Sequence, residues 1–261
     1  MKILLYLEYD GTDFHGFQRQ NDQRTVQEEL EKALHKLFME EIKISGSSRT
    51  DAGVHARSYP MSFETSTTIP PHKIAVALNQ YLPRDLKAQE SMLMPDDFDA
   101  RFSAKGKTYS YHFLRRQNPS ALYRNHAYHT RLSLDVEKMK EASSAFLGLK
   151  DFSGFKTQGS TDPNPLKEMR EISIVENGDF LIIYITASGF LYNMARIIAG
   201  TLLDAGTGKV TKEDILEIFK TGIRGKSMVL PARGLYLEKV YYENSDESKE
   251  YIDAKYRRSI P

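Results

Sequence analysis

The chain has 261 residues, of which 40% are hydrophobic and 27% charged, and its formal net charge is +1. That is enough for one domain or two moderate ones with a real core, while no apolar run approaches the roughly 18–20 residues of a membrane span. The absence of cysteine excludes disulfides, thiolate metal sites and a cysteine nucleophile.

The opening MKILLYLEYD closes its short apolar run at Glu8 and Asp10 and shows no small-residue cleavage site. It reads as a first strand, Lys2 to Tyr9, rather than a signal peptide, and a cytoplasmic location is expected. A polar, glycine-containing loop, YDGTDFHGFQRQNDQ, follows. Thr25 is placed to cap a helix, with Glu28 three residues on to complete a capping box. Val26, Leu30, Ala33, Leu34 and Leu37 then share one helical face. Ile42–Ser45 predicts a short strand, Gly46–Ala56 a loop, Ser58–Glu64 a strand, Pro71–Gln80 a helix and Leu86–Met94 a strand. The order is βαββαβ, the ferredoxin-like pattern.

A similar order follows. Lys107–Arg115 alternates Tyr109, Tyr111 and Phe113, a strand pattern, and Asp135–Leu147 aligns Met139, Ala142 and Phe146 on a helix. Glu171–Glu176 and Asp179–Thr186 predict strands joined by Asn177-Gly178, a strong hairpin signal. Leu191–Leu203 is an almost charge-free helix, and Thr211–Lys220 is another, with Asp214 in a capping position. Leu235–Tyr242 predicts the last strand. The expected organisation is an N-terminal half (1–104), a C-terminal half (105–242) and a charged extension (243–261).

A net charge near zero conceals an uneven distribution. Between Ala100 and Leu134 there is no acid, but Arg101, Lys105, Lys107, Arg115, Arg116, Arg124 and Arg131 alternate with Tyr109, Tyr111, Tyr123 and Tyr128. Basic side chains among aromatics suit a polyanion with stackable bases; a solvated basic face compensated elsewhere is the other reading. The segment lies at the junction of the halves, where a cleft is expected to form.

Several chemistries can be struck out. GTGK at Gly206–Lys209 and GKS at Gly225–Ser227 lack the glycine a phosphate-binding loop needs five residues earlier; Leu203 and Lys220 stand there. His126 and His129 have no obvious third ligand and, with His112, read as RNA-facing or surface residues rather than a metal site. What remains is Arg49-Thr50-Asp51, in the loop GSSRTDAGVHA. A turn aspartate bonding its own backbone is one reading of Asp51; a carboxylate nucleophile or base held ionised by an arginine is the other. The lone cation of GFLYNMARIIAGTLL, Arg196, is a candidate partner, because an unpaired charge in an apolar helix is costly. Pairing with a structural acid or reaching solvent are its alternatives. For His55 a structural hydrogen bond is expected rather than catalysis.

Taken together, YDGTDFHGFQRQ (Tyr9–Gln20), RTDAGVHA (Arg49–Ala56), FDARFSAKGKTYSY (Phe98–Tyr111), DFSGF (Asp151–Phe155), GFLYNMARIIAGTLL (Gly189–Leu203) and GLYL (Gly234–Leu237) resemble the tRNA pseudouridine synthase A (TruA) family. The resemblance implies an α+β pseudouridine synthase fold, two ferredoxin-like βαββαβ halves forming a central mixed sheet with a basic cleft between them. It implies an isomerase that converts uridine to pseudouridine at positions 38, 39 and 40 of the tRNA anticodon stem-loop. It also implies a cytoplasmic homodimer without metal or organic cofactor and without a membrane.

Carried over by position, Asp51 corresponds to the catalytic aspartate. Tyr109 corresponds to a tyrosine that stacks on the target base and moves a proton from C5. Arg196 corresponds to the arginine paired with the aspartate, and Arg49 to one that helps hold the flipped-out nucleotide. Attack at C6 of the base or at C1′ of the sugar is left open. Phe17, where the family often has tryptophan, Ser48, where glycine usually stands, and Leu230-Pro231-Ala232-Arg233, in place of Ala-Pro-x-x-Gly, depart from the pattern.

Overall fold

In the first strand, β1 (Lys2–Tyr9), alternate side chains go to opposite faces. Ile3, Leu5 and Leu7 are wholly buried, and Leu4 packs on the other side against Phe98 and Ala100. A central strand is thus dictated by an apolar run that has cover on both faces. The computed structural model describes residues 1–159 and 162–242. They divide into two compact units, Met1–Lys105 together with the last strand from Tyr236, and Gly106–Leu235. The charged stretch 243–261 lies outside the described residues.

In the first unit, α1 (Val26–Phe38), β2 (Ile44–Gly46), β3 (His55–Glu64), α2 (Ile74–Leu78) and β4 (Leu86–Met94) follow β1. β1 lies between β3 and β4, antiparallel to both, and β2 is antiparallel to β3. This is the ferredoxin-like arrangement the element order implies. The last strand, Leu235–Tyr241, adds a parallel pairing to β3, with Tyr236 opposite His55 and Leu237 opposite Ala56, so the sheet is mixed. That pairing, together with Tyr9 opposite Ala56, starts β3 at His55 rather than at the expected Ser58. Sequence-distant partners supply hydrogen bonds that no local pattern announces.

Two expected helix details change. Thr25 accepts from the Glu28 N–H at 3.3 Å, but the Glu28 carboxylate pairs with Lys32 Nζ at 3.0 Å, so only half of the expected capping box forms. The expected helix Pro71–Gln80 is a 3-10 turn, Pro71–Lys73, followed by the short α2.

The second unit contains β5 (Gly106–Arg115), β6 (Tyr128–Thr130), α3 (Val136–Ser143), β7 (Gly148–Asp151), β8 (Leu166–Asn177), β9 (Phe180–Ala187), α4 (Met194–Gly206) and α5 (Lys212–Thr221). β5, β9, β8 and β7 form an antiparallel series, and β6 runs parallel to the end of β5. The expected hairpin forms, but its two-residue turn is Gly178-Asp179 rather than Asn177-Gly178: Asn177 ends β8 opposite Phe180, and Gly178, at φ 56°, takes the positive-φ position. Thr211 and Asp214 form a reciprocal capping box on α5. β8 begins five residues before the expected Glu171, because its early half pairs with β7, a strand the sequence did not announce.

His112, expected at the surface or facing RNA, is buried instead, and its Nε2 lies 2.9 Å from Ser110 Oγ. Strand alternation places it on the buried polar face of β5, opposite the Tyr109–Tyr111–Phe113 face.

α4 is buried along nearly all its length, as its charge-free sequence demands. Gly200 permits the tightest approach: a Cβ there would lie 2.3 Å from the Met228 carbonyl oxygen. Replacing a helical glycine by alanine ordinarily gains up to ~1 kcal/mol. Here the methyl meets backbone, and overpacking costs about 1–3 kcal/mol. Gly200→Ala is therefore expected to lower the free energy of unfolding measured in urea, whereas an open helical position would raise it.

Candidate active site

The loop that carries Asp51 runs from Ser47 to Val54, and its backbone is held from both sides. The Thr50 carbonyl accepts from the Phe17 N–H at 3.0 Å, and the Gly53 N–H donates to the Phe14 carbonyl at 3.2 Å. Tyr9 Oη and Thr50 Oγ1 are 2.8 Å apart, and the Val54 N–H closes a turn onto the Asp51 carbonyl at 3.1 Å. The partner segment can come this close because of two glycines. A Cβ on Gly16, at φ +88°, would sit 2.7 Å from the Thr50 oxygen, and one on Gly11 would sit 2.1 Å from the Val54 oxygen. The result is an Asp51 side chain left half-buried, with Arg49 and Ala52 exposed on either side and Thr50 turned inward.

Tyr59 braces the start of the loop. Its hydroxyl donates to the Ser48 carbonyl and accepts from the Ser48 N–H, and its ring stacks on Phe17 at 4.3 Å. The far end is fixed by His55, which is 1% exposed and stacked on Tyr236 at 4.6 Å. His55 Nδ1 is 3.0 Å from the Gly11 nitrogen and 3.1 Å from Asp10 Oδ1. That one nitrogen accepts from the Gly11 N–H when it bears no proton and donates to Asp10 when it bears one, so it cannot do both at once. Asp10 Oδ1 also accepts from the Thr12 N–H at 3.0 Å and the Thr12 hydroxyl at 2.5 Å. Burial opposes ionisation of Asp10, but the His55 and Thr12 hydrogen bonds outweigh it and hold the carboxyl well below the ordinary carboxylate range.

Tyr109 and Arg196 belong to the second unit. Tyr109 is buried on β5 and meets Phe190 edge to face at 4.8 Å. Arg196 sits half-buried in the first turn of α4; its Nε donates to the Leu230 carbonyl and its Nη1 to Asn193 Oδ1, both at 2.6 Å. The next residue on the Tyr109 face, Tyr111, donates to the Pro231 carbonyl at 2.8 Å. Burial pushes the Tyr111 phenol well up, against the pull of Arg196 and Arg233, so it remains a neutral donor. The segment 230–233 thus supplies carbonyls to both Arg196 and Tyr111. Asn193 did not stand out in the sequence, and Leu230 stood out only as a departure from the family pattern. An asparagine three residues before the only cation of an apolar helix was the available signal.

Two cations of the basic segment pair with acids. Arg115 pairs with Glu176, and Arg116 lies 3.8 Å from Asp179. Arg101, Lys105, Arg124 and Arg131 fall in exposed or half-exposed positions.

The comparisons with known proteins define the class as RNA-modifying. The model of the tRNA pseudouridine synthase family matches residues 6–103 and 142–243. A Clostridium perfringens protein named tRNA pseudouridine synthase A 2 is 45% identical over 241 residues, covering 92% of this chain and 99% of that protein. Proteins named tRNA pseudouridine synthase A from Clostridium acetobutylicum and from Thermoanaerobacter sp. are 45% and 42% identical, with the same coverage. The chain belongs to the tRNA pseudouridine synthase family, and its activity is that of an isomerase. Among the described residues, no helix is long and apolar enough to cross a membrane.

The Asp10 carboxyl sets a pH dependence of stability. Its folded value lies below the ordinary 3.8, so its contribution is present above that pH and fades as pH falls below it. Asp10→Asn should lower the melting temperature at pH 7, and the gap from wild type should narrow progressively as pH falls below about 4. A gap independent of pH would show that the Asp10 charge is not what braces His55 and Gly11.

Proposed function

We propose that the enzyme converts uridine to pseudouridine at positions 38, 39 and 40 of the tRNA anticodon stem-loop, with Asp51 as its catalytic carboxylate. The observation that carries this reading is the Asp51 loop: backbone pinned before and after the residue, side chain half-buried, small Ala52 and cationic Arg49 exposed beside it. Catalysis by a positioned group needs this combination of rigidity and access.

The reaction breaks the N1–C1′ bond, turns the uracil and forms a C5–C1′ bond. The proton leaves C5 and N1 gains one, so no electron donor or group donor is needed. A base inside a stem must first leave the stack, at a cost of a few kcal/mol. Arg49 helps hold the displaced nucleotide, its fork suited to phosphate and its plane to stacking. Arg196 keeps Asp51 ionised when the base shields it from water. Tyr109 stacks on the base and takes part in moving the C5 proton. The exposed cations of the acid-free segment bind the tRNA backbone in a salt-dependent way. The working enzyme is a cytoplasmic homodimer on this reading. A binding-only protein on the same scaffold would not need Asp51, Tyr109 and Arg196 together.

The decisive experiment maps pseudouridine by position in unmodified tRNA transcripts with uridine at 38–40. The wild type is expected to form it, and Asp51→Asn to form none while binding tRNA within a few-fold of wild type. Salt-sensitive binding without product from the wild type, across a panel of tRNAs, would favour the binding-only reading. Arg196→Met is expected to be both inactive and less stable, because it strips a charge partner from Asp51; an unchanged melting temperature would count against that pairing.

A further inference from the structure

We infer that Asn193 is a positioning residue that sets the orientation of the Arg196 guanidinium without neutralising it, a role that rests on Arg196 acting as the cation for Asp51. Arg196 is the third residue of α4, where the helix dipole disfavours a cation and the first turn has no acid to offset it. Helical side chains lean toward the N-terminus, so the guanidinium reaches back to Asn193, three residues earlier. There Nη1 donates to Asn193 Oδ1 at 2.6 Å while Nε donates to the Leu230 carbonyl at 2.6 Å. Two acceptors on two edges of a planar group fix its plane as well as its position.

Asn193 is itself held in an unusual way. It occupies the N-cap position, where asparagine normally accepts from the helix's second or third N–H, yet its side chain makes no capping bond. Its amide instead bridges Arg196 and Thr157, with Nδ2 donating to Thr157 Oγ1 at 3.0 Å. The Thr157 N–H in turn donates to the Tyr192 carbonyl at 3.2 Å, so two links tie residue 157 to this corner. The backbone is left-handed, φ 60° and ψ 7°, a conformation that most side chains resist and asparagine tolerates. That conformation turns the amide away from the helix's own N–H groups and toward the arginine.

The chemistry also explains an amide rather than a carboxylate. Aspartate tolerates the same backbone and would accept the same hydrogen bond, but as an anion it would form a charge-assisted pair with Arg196. The arginine's charge would then be spent locally. A neutral oxygen orients the group and leaves its charge for another anion.

Asn193→Gly separates the two roles, because glycine suits φ 60° and removes only the amide. The expected result is a melting temperature at or above wild type, kcat lower by roughly 10- to 100-fold, as for misplaced catalytic groups, and a KM for tRNA within about threefold. The acid limb of the kcat profile should move to higher pH, since a poorly placed Arg196 favours the charged form of Asp51 less. Asn193→Asp should also lose kcat despite keeping an acceptor. Thr157→Val, which frees the other end of the amide, should shift the acid limb the same way and serves if the glycine variant folds poorly.

An Asn193→Gly enzyme with wild-type kcat would overturn the inference. So would an activity loss that tracks a lower melting temperature with an unmoved acid limb. If Asp51→Asn and Arg196→Met are inactive while Asn193→Gly is normal, only this inference fails. If Asp51→Asn or Arg196→Met keeps wild-type turnover, the proposed function fails first.

Discussion

Much of the first unit is organised around one hydrogen bond, from the Phe17 N–H to the Thr50 carbonyl. A carboxylate meant for chemistry has to be open to its substrate, so its own side chain cannot be locked by packing. The immobility has to come from the backbone beside it. Thr50 supplies it on one side through its carbonyl and through the contact of its hydroxyl with Tyr9, and Gly53 supplies it on the other through Phe14. Polar backbone groups buried against each other are costly unless paired, so the loop and segment 9–17 hold one another in register. Glycine at 11 and 16 is the condition for that approach, because any Cβ there would meet the Val54 or Thr50 carbonyl.

The second unit solves a comparable problem with a strand-like strap, residues 228–231. It passes α4 where Gly200 removes a Cβ, gives its Leu230 carbonyl to Arg196, and gives its Pro231 carbonyl to Tyr111. Gly234 then lets the chain cross the Tyr111 ring, since a Cβ would lie 2.7 Å from it. Arg196 and the strand that carries Tyr109 are therefore referenced to the same short piece of backbone. A buried, permanently neutral Tyr111 suits that task better than an ionisable group would.

The sequence made the regular parts legible. β1 and β4 fall where they were expected, and the hairpin forms one residue later than expected, with Gly178-Asp179 as its turn. Asp51 and Arg196 could be named from short motifs, because Arg-Thr-Asp in a glycine-containing loop and a lone arginine in an apolar helix are both chemically odd, whereas Tyr109 was named only through the family resemblance. What stayed hidden were features decided by distant partners. β3 starts early because residues 236 and 237 pair with it, and β8 starts early because β7 does. Helix α4 begins at Met194 rather than Leu191 because Asn193 turns left-handed and directs its amide to Arg196 and Thr157. His112 looked like a surface group because strand alternation does not say whether a polar face is wet.

The three departures from the family pattern all lie on these braces, and the braces explain why they are tolerated. Ser48 binds Tyr59 through its N–H and carbonyl, and it has no left-handed backbone that would demand glycine. Phe17 fills its site: it stacks on Tyr59, and a Cβ on Gly46 would meet its ring at 2.5 Å. A wider ring there would press on the Gly46–Tyr59 corner, whereas the Phe17 N–H, the part that holds Thr50, is common to any residue but proline. Leu230 and Pro231 likewise act through carbonyls. Where a contact is made by the main chain, the side chain can change while the contact is kept. Constraint on residue type falls instead on Gly11, Gly16 and Gly200, where only the absence of a side chain lets the backbones meet.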